Sequence, residues 1–147
     1  MQMISQRRKL ISCALKLIVI ISAAVGVFLS GEAGRSIFMG GSRAFMYFTI
    51  QSNILIALIC AAGGFLLMRG KPVSEEWHTV KLVGTVSITL TGVVFAVLLA
   101  PLLGDAAWNV QNTLTHFVVP VVAVADYFVA ESGIRIRRKN AVYVIIP

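Results

Sequence analysis

Two short stretches of the 147-residue chain place polar side chains inside an otherwise apolar sequence. In the first stretch, Thr49 lies four residues before Asn53, with Gln51 between them. In the second, Asn112 lies four residues before His116. Residues four apart share one face of a helix, so each stretch presents a polar face if it is helical. The pattern therefore predicts two polar helix faces in an apolar chain.

Hydroxyl, imidazole and amide groups are the components of a nucleophilic hydrolase site. A threonine hydroxyl becomes a nucleophile when a base such as neutral histidine takes its proton. Side-chain amides can donate hydrogen bonds to the oxyanion that forms when an ester carbonyl is attacked. Thr49 is thus the candidate nucleophile and His116 the candidate base. Which of Asn53, Gln51 and Asn112 binds the oxyanion or the substrate is left open by the spacing.

The composition is typical of a membrane protein. Hydrophobic residues make up 58% of the chain and charged residues 13%, whereas soluble domains have about 45–50% and about 25%. The net charge of +7 does not indicate a nucleic-acid partner, because the basic residues form short clusters between apolar runs. The two cysteines have no second thiol or histidine at metal-ligand spacing. We expect neither a metal nor an organic cofactor.

Four apolar segments, at roughly residues 10–30, 45–67, 80–103 and 109–130, are long enough to cross a bilayer as helices. They predict an all-α, polytopic transmembrane bundle that forms a single domain over residues 1–147. A fifth apolar run, residues 141–147, is too short to span a membrane at about 1.5 Å per residue. We therefore expect the domain to be incomplete at its C-terminal end.

The basic residues predict the orientation, because cytoplasmic loops are enriched in Lys and Arg. Eleven of the thirteen fall in the N-terminal flank, the second loop or the fourth loop. The first loop contains only Arg35 and Arg43, and the third loop contains none. An N-terminus in the cytoplasm satisfies every loop.

Both helices with polar stretches then run inward from the external side. Counted at about 1.5 Å per residue from Phe45 and Trp108, Thr49 lies about 6 Å deep and His116 about 10–12 Å deep. These depths agree to about one turn, as a nucleophile and its base require. Pro120 is expected to distort the helix beside His116, because proline has no N–H for the carbonyl four residues earlier.

The same residues also fit a non-enzymatic membrane protein, either a small transporter or a lipid-binding scaffold. In that case Thr49, Ser52 and Asn53 hydrogen-bond neighbouring helices, and His116 is an interhelical histidine. The sequence shows no convincing internal repeat and its polar cluster lies off-centre, which disfavours the transporter.

Other polar residues in the apolar segments are expected to have structural roles. Lys16 lies near the cytoplasmic end of the first segment, where its side chain can extend to the headgroups. Asp126 is expected to pair with Arg135 or another loop cation, with a proton path as the alternative. The threonines of the third segment are expected to bond the carbonyls of their own helix.

The stretches FTIQSN (residues 48–53) and NTLTH (residues 112–116), followed by Pro120 and Asp126, resemble a known family. They are similar, in the same order, to motifs of the androgen-inducible and androgen-dependent membrane hydrolases and their bacterial relatives. That family consists of intramembrane threonine hydrolases that cleave fatty acid esters of hydroxy fatty acids.

The resemblance implies a threonine-dependent carboxylic ester hydrolase whose nucleophile is Thr49 and whose histidine is His116. The triplet at residues 51–53 looks like that of the bacterial branch. The expected partners are therefore membrane lipids and a lipid ester substrate, and the expected location is a bacterial inner membrane.

Overall fold

The computed structural model describes residues 6–33, 47–70 and 73–131, and within them the chain is helical, with short turns and no strand. Four long helices follow one another: α1 (Gln6–Ala33), α2 (Phe48–Met68), α3 (Glu75–Trp108) and α4 (Val110–Glu131). Each is long and apolar enough to cross a membrane, which confirms the predicted all-α, multi-pass architecture. The fifth apolar run and the basic fourth loop lie outside the described residues.

Polar residues define where α3 and α4 begin. Ser74 caps α3, because its hydroxyl accepts a hydrogen bond from the backbone N–H of Trp77 at 3.3 Å. Asn109 caps α4 in the same way, with its side-chain oxygen 2.9 Å from the backbone nitrogen of Asn112. A 3₁₀ turn, Gly104–Trp108, ends α3 and leads into α4. The chain therefore reverses sharply between the two helices.

The helices form a ring in which α1 and α3 each pack against both α2 and α4. Val19, Ile56, Ile88 and Val119 are buried at the centre of this ring, one from each helix. Cys60 is buried there too, as its apolar surroundings in the sequence predict. The outer faces expose many large apolar side chains, the arrangement expected where the surrounding solvent is lipid.

Two π-helical turns interrupt the regular α-helical geometry of α3 and α4. One, Phe95–Leu99, lies in α3, and the other, Leu114–Val118, lies in α4. The second contains His116, whose carbonyl would have bonded the N–H that Pro120 lacks. The π turn is thus the form taken by the distortion that proline predicts.

Glycine at position 92 allows α3 to approach the freed carbonyl. A Cβ atom placed on Gly92 would lie 2.9 Å from the carbonyl oxygen of His116 and 3.1 Å from Cγ of Pro120. Such separations are too short for any side chain larger than hydrogen. Gly92 therefore sets the close packing between the two helices at the level of His116.

The threonines of α3 bond within their own helix, as expected. Thr85, Thr89 and Thr91 donate to the carbonyls of Lys81, Thr85 and Ser87 at 2.8, 2.7 and 3.1 Å.

Lys16 does not extend to the headgroups, contrary to the prediction. It is 4% exposed, and its Nζ lies 2.8 Å from both carboxylate oxygens of Asp126, which is 1% exposed. Ser12 donates to the same carboxylate at 2.6 Å, and Lys81 Nζ lies 3.0 Å from it. The charged side chains can be buried because they pair with opposite charges. The pairing is possible because residues of α1, α3 and α4 meet at this point.

Lys81 continues this group of charges toward the end of α4. Its Nζ also lies 3.3 Å from Glu131, and the other carboxylate oxygen of Glu131 contacts Nδ1 of His78. Asp126 therefore pairs with lysines of α1 and α3 within the described part of the chain. Arg135 lies outside that part, whereas Lys81 is one of the basic residues assigned to the second loop from the sequence, so Asp126 does pair with a predicted loop cation. We use the name "ion cluster" for Ser12, Lys16, His78, Lys81, Asp126 and Glu131.

Candidate functional site

Asn53 connects the two predicted polar faces. Its side chain is fully buried, and Nδ2 donates to the backbone carbonyl of Thr49 at 2.8 Å and to that of Thr115 at 3.2 Å. Neighbouring Ser52 donates to the Thr49 carbonyl at 3.0 Å and shares a 2.9 Å hydrogen bond with the hydroxyl of Thr91. The polar start of α2 is thus bonded to both α3 and α4.

Asn53 also brings the two polar stretches close together. Its Nδ2 lies 2.8 Å from the carbonyl oxygen of Thr49 and 3.2 Å from that of Thr115, so these two oxygens are at most 6.0 Å apart. The turns that contain Thr49 and His116 are therefore neighbours, and the matching depth of the two side chains stays a prediction.

His116 faces α3, where its ring is stacked on Phe95. The ring centroids are 4.1 Å apart and the ring planes differ by 11°. Phe95 is itself buried and packs edge-on against Trp108 at 6.2 Å. Both stacked residues lie in the π-helical turns, so the two backbone distortions together set the position of the imidazole.

One ring nitrogen of His116 is left without a partner. Nδ1 is buried and forms no hydrogen bond within the described residues. Most buried polar atoms in proteins are hydrogen-bonded, so an unpaired imidazole nitrogen indicates a group that a ligand or water must satisfy. It is also the state that a general base needs before it takes a proton.

His116 lines a cavity of about 350 Å³ between α3 and α4. The walls are almost wholly apolar, and none of the described residues that form them is charged. Thr89 also lines the cavity, and its hydroxyl donates to its own helix at the Thr85 carbonyl. The lining residues are Thr89, Gly92, Val93, Phe95, Ala96, Trp108, His116, Phe117, Pro120, Val121 and Val124.

Thr49 is half-buried on α2 and does not line this cavity. Its backbone carbonyl accepts the bonds from Ser52 and Asn53, and no hydrogen bond joins its hydroxyl to His116 in the described part of the chain. The structure therefore brings the segments that contain Thr49 and His116 together without direct contact between the two side chains. Their catalytic roles stay predictions.

The three amides proposed to bind the oxyanion occupy different environments. Asn53 uses both N–H groups on backbone carbonyls, and its Oδ1 is buried without a partner among the described residues. Asn112 donates to the carbonyl of Ala107 at 3.1 Å, which holds the turn before α4 and leaves one amide hydrogen. Gln51 is exposed on α2. Asn112 can therefore donate a hydrogen bond to a ligand without breaking an existing one, whereas Asn53 cannot.

Phe95, Trp108 and Thr89 are cavity residues that the motifs did not indicate. The sequence does contain a signal for the turn that holds Phe95. Pro101 lacks an N–H for the carbonyl of Val97, and Val97 lies with Phe95 in the first π turn. Pro120 bears the same relation to His116 in the second turn. Two prolines therefore mark the two turns that form the cavity.

Within residues 6–33, 47–70 and 73–131 no group of three His, Cys, Asp or Glu side chains is arranged to hold a metal ion. Comparison with protein-family models, with curated proteins and with solved structures found no match to this chain. The resemblance to the membrane hydrolases thus depends on the motifs and their order alone.

Proposed function

We propose that the chain is an intramembrane hydrolase of lipid esters in which His116 is the general base and Thr49 the nucleophile. The observation that supports this function best is the unpaired Nδ1 of a histidine in the wall of an apolar cavity between membrane-spanning helices. An imidazole in such surroundings can accept a proton, and an apolar cavity excludes bulk water and admits a lipid chain.

The reaction follows from the two side chains. Thr49 Oγ attacks the ester carbonyl carbon while its proton passes to His116, and a C–O bond forms. The tetrahedral intermediate collapses, the ester C–O bond breaks, and the leaving alkoxide takes the proton from His116. Water, activated by His116, then hydrolyses the acyl-threonine to a free acid. The remaining amide hydrogen of Asn112 is suited to stabilise the oxyanion.

Contact between the two side chains requires a rearrangement at the α2–α4 boundary. The bonds of Asn53 hold the Thr49 turn beside Thr115, and no hydrogen bond joins Thr49 to His116 among the described residues, so rotation of the Thr49 side chain or a small shift of α2 must accompany substrate binding. Catalytic contacts are often long in ligand-free enzymes and shorten when substrate binds.

The proposed setting is a bacterial inner membrane with the N-terminus in the cytoplasm. The loop charges support that orientation. It places the cavity wall at His116 in the external half of the bundle and the ion cluster on the cytoplasmic side.

Labelling by an alkyl fluorophosphonate tests the mechanism, with the adduct located by mass spectrometry on detergent-solubilised protein. We expect the adduct on Thr49, and we expect His116→Ala to slow its formation by about 10²–10⁴, the usual contribution of a general base. Thr49→Val should abolish labelling.

Thr89→Val is the matched control, because it removes the hydroxyl of another residue that lines the same cavity as His116. This variant should label like the wild type. An adduct on Thr89, or labelling at Thr49 that does not depend on His116, would refute the assigned nucleophile and base.

The lipid-binding scaffold is the second candidate, and the hydrogen bonds themselves favour it. Ser52, Asn53 and Asn112 all bond groups of the same chain, as residues that merely hold helices together would do. No adduct on any residue, in protein that retains its fold, would favour the scaffold.

A further inference from the structure

The cavity has one polar end and a long apolar side. His116 and Val124 both line it and are eight residues apart on α4, a distance of about 12 Å along the helix axis. Between them the walls come from apolar residues such as Val121 of α4 and Val93 of α3. The cavity is thus a seam between α3 and α4 that has His116 near one end and apolar residues toward the other.

The charges around the seam define what it can hold. None of the lining residues is charged, so an ionic ligand would lose its hydration without compensation. Beyond Val124 lies Asp126, whose carboxylate is occupied by Lys16 and Lys81. The seam therefore fits a neutral, elongated molecule with a hydrogen-bonding group at the His116 end.

The seam also communicates with the outer surface of the bundle. Val93, Phe117 and Val121 line it and are about half exposed on the faces of α3 and α4. Those faces belong to helices long enough to span a membrane, so the molecules beside them are lipid acyl chains. A chain can thus enter sideways, without crossing water.

We infer that the seam between α3 and α4 binds one acyl chain of the substrate, with its ester carbonyl beside His116 and its methyl end toward Val124. The assignment of the carbonyl rests on the proposed function, but binding of the chain does not require hydrolysis. An extended chain advances about 1.2 Å per bond, so about ten bonds fill the 12 Å between His116 and Val124. Val121 and Val124 then determine the preferred chain length.

A non-hydrolysable photoreactive probe tests this inference without turnover. The probe is a neutral long-chain methyl ketone with a diazirine near its middle, irradiated with wild-type protein in lipid bicelles. We expect adducts on Phe117, Val121 or Val124 that an unreactive methyl ketone suppresses. Suppression should increase with competitor length up to about ten to twelve carbons and then level off.

Residues that face bulk lipid provide an internal control. Phe28 of α1 and Leu58 of α2 are both exposed, and labelling there should not respond to the competitor. Suppression that is equal at these positions and at Val121 would mean that the seam binds no chain of its own.

A matched pair of variants gives the second control. Val121 is 55% exposed and lines the seam, whereas Val97 is 64% exposed and does not. Val121→Trp fills the seam, so at least about tenfold more competitor should be needed for the same suppression. Val97→Trp should behave like the wild type, and equal effects of the two substitutions would overturn the inference.

The two proposals fail separately in this design. Competitor-sensitive labelling of the seam in a protein without fluorophosphonate reactivity would retain the acyl site and reject the hydrolase. Reactivity at Thr49 with no competitor-sensitive labelling in the seam would do the reverse.

Discussion

Asp126→Asn removes a carboxylate that contacts two buried lysines and keeps the size of the side chain. In the wild type, Lys16 lies 2.8 Å from both carboxylate oxygens, and Lys81 lies 3.0 Å from one of them. After the substitution Lys81 still has Glu131 at 3.3 Å. Lys16 keeps only the hydroxyl of Ser12 and an amide among its described neighbours. The cost therefore falls mainly on Lys16.

Loss of one partner from a buried ion pair costs about 3–5 kcal/mol, because a desolvated charge is left unpaired. The upper part of this range is expected here, since Lys16 is only 4% exposed. Lys16→Met combined with Asp126→Asn removes both members of the pair and leaves Lys81 with Glu131. The double variant should therefore be more stable than Asp126→Asn alone by about 2 kcal/mol or more.

Unfolding by sodium dodecyl sulfate in mixed micelles, followed by far-ultraviolet circular dichroism, gives the free energies. Ser12→Ala is the control, because it deletes one hydrogen bond to the same carboxylate and should cost about 0.5–3 kcal/mol. A free energy of unfolding for Asp126→Asn within about 1 kcal/mol of the wild type, or a double variant no more stable than Asp126→Asn, would show that Lys16 does not depend on this carboxylate.

Two further substitutions test the packing around His116. Gly92→Ala places a Cβ 2.9 Å from the His116 carbonyl oxygen and should destabilise the protein by about 1–3 kcal/mol in the same unfolding assay. Gly31→Ala, where a Cβ would meet nothing within 4 Å, should be neutral or stabilise by up to about 1 kcal/mol, and similar losses at both glycines would contradict this. Phe95→Leu removes the ring stacked on His116 and should lower kcat of ester hydrolysis, because it misplaces the base. It should also raise KM, because Phe95 lines the seam. Phe28→Leu, on an exposed face of α1, should change neither constant, and an unaltered kcat in Phe95→Leu would show that the stack does not position the imidazole.

Hydropathy was sufficient to predict the four helices. In lipid every backbone polar group must be bonded within the chain, so an apolar run of about 20 residues has few alternatives to a helix. The predicted segments at residues 10–30 and 109–130 coincide with α1 and α4 to within a few residues. Boundaries were less accurate where polar residues continue a helix, and α3 begins at Glu75 rather than near residue 80.

The ion cluster could not be predicted in the same way. The sequence shows that Lys16 places a charge in a membrane helix, which is energetically unfavourable. A lysine near a helix end usually avoids this cost by extending its side chain to the headgroups. The alternative depends on Asp126, which is 110 residues away and on another helix. Only the packing of α1 and of α3 against α4 shows that a carboxylate and a second lysine meet Lys16 in the interior.

In the candidate site, too, the sequence predicts one property and not another. It predicts the position of a residue along a helix but not the direction in which its side chain points. Counting residues predicts a similar depth for Thr49 and His116, because rise per residue is nearly constant. It did not give the side of α4 on which the imidazole lies, since a π turn contains an extra residue and rotates the next turns of the helix by about 100° relative to a regular helix. His116 lies within such a turn and stacks on Phe95 of α3, while Thr49 lies on α2. Pro101 and Pro120 were visible in the sequence, and their carbonyl partners four residues earlier mark both π turns. Proline positions thus predict where residues four apart stop sharing one face of a helix. Which neighbouring helix the displaced side chain then contacts depends on how the helices pack.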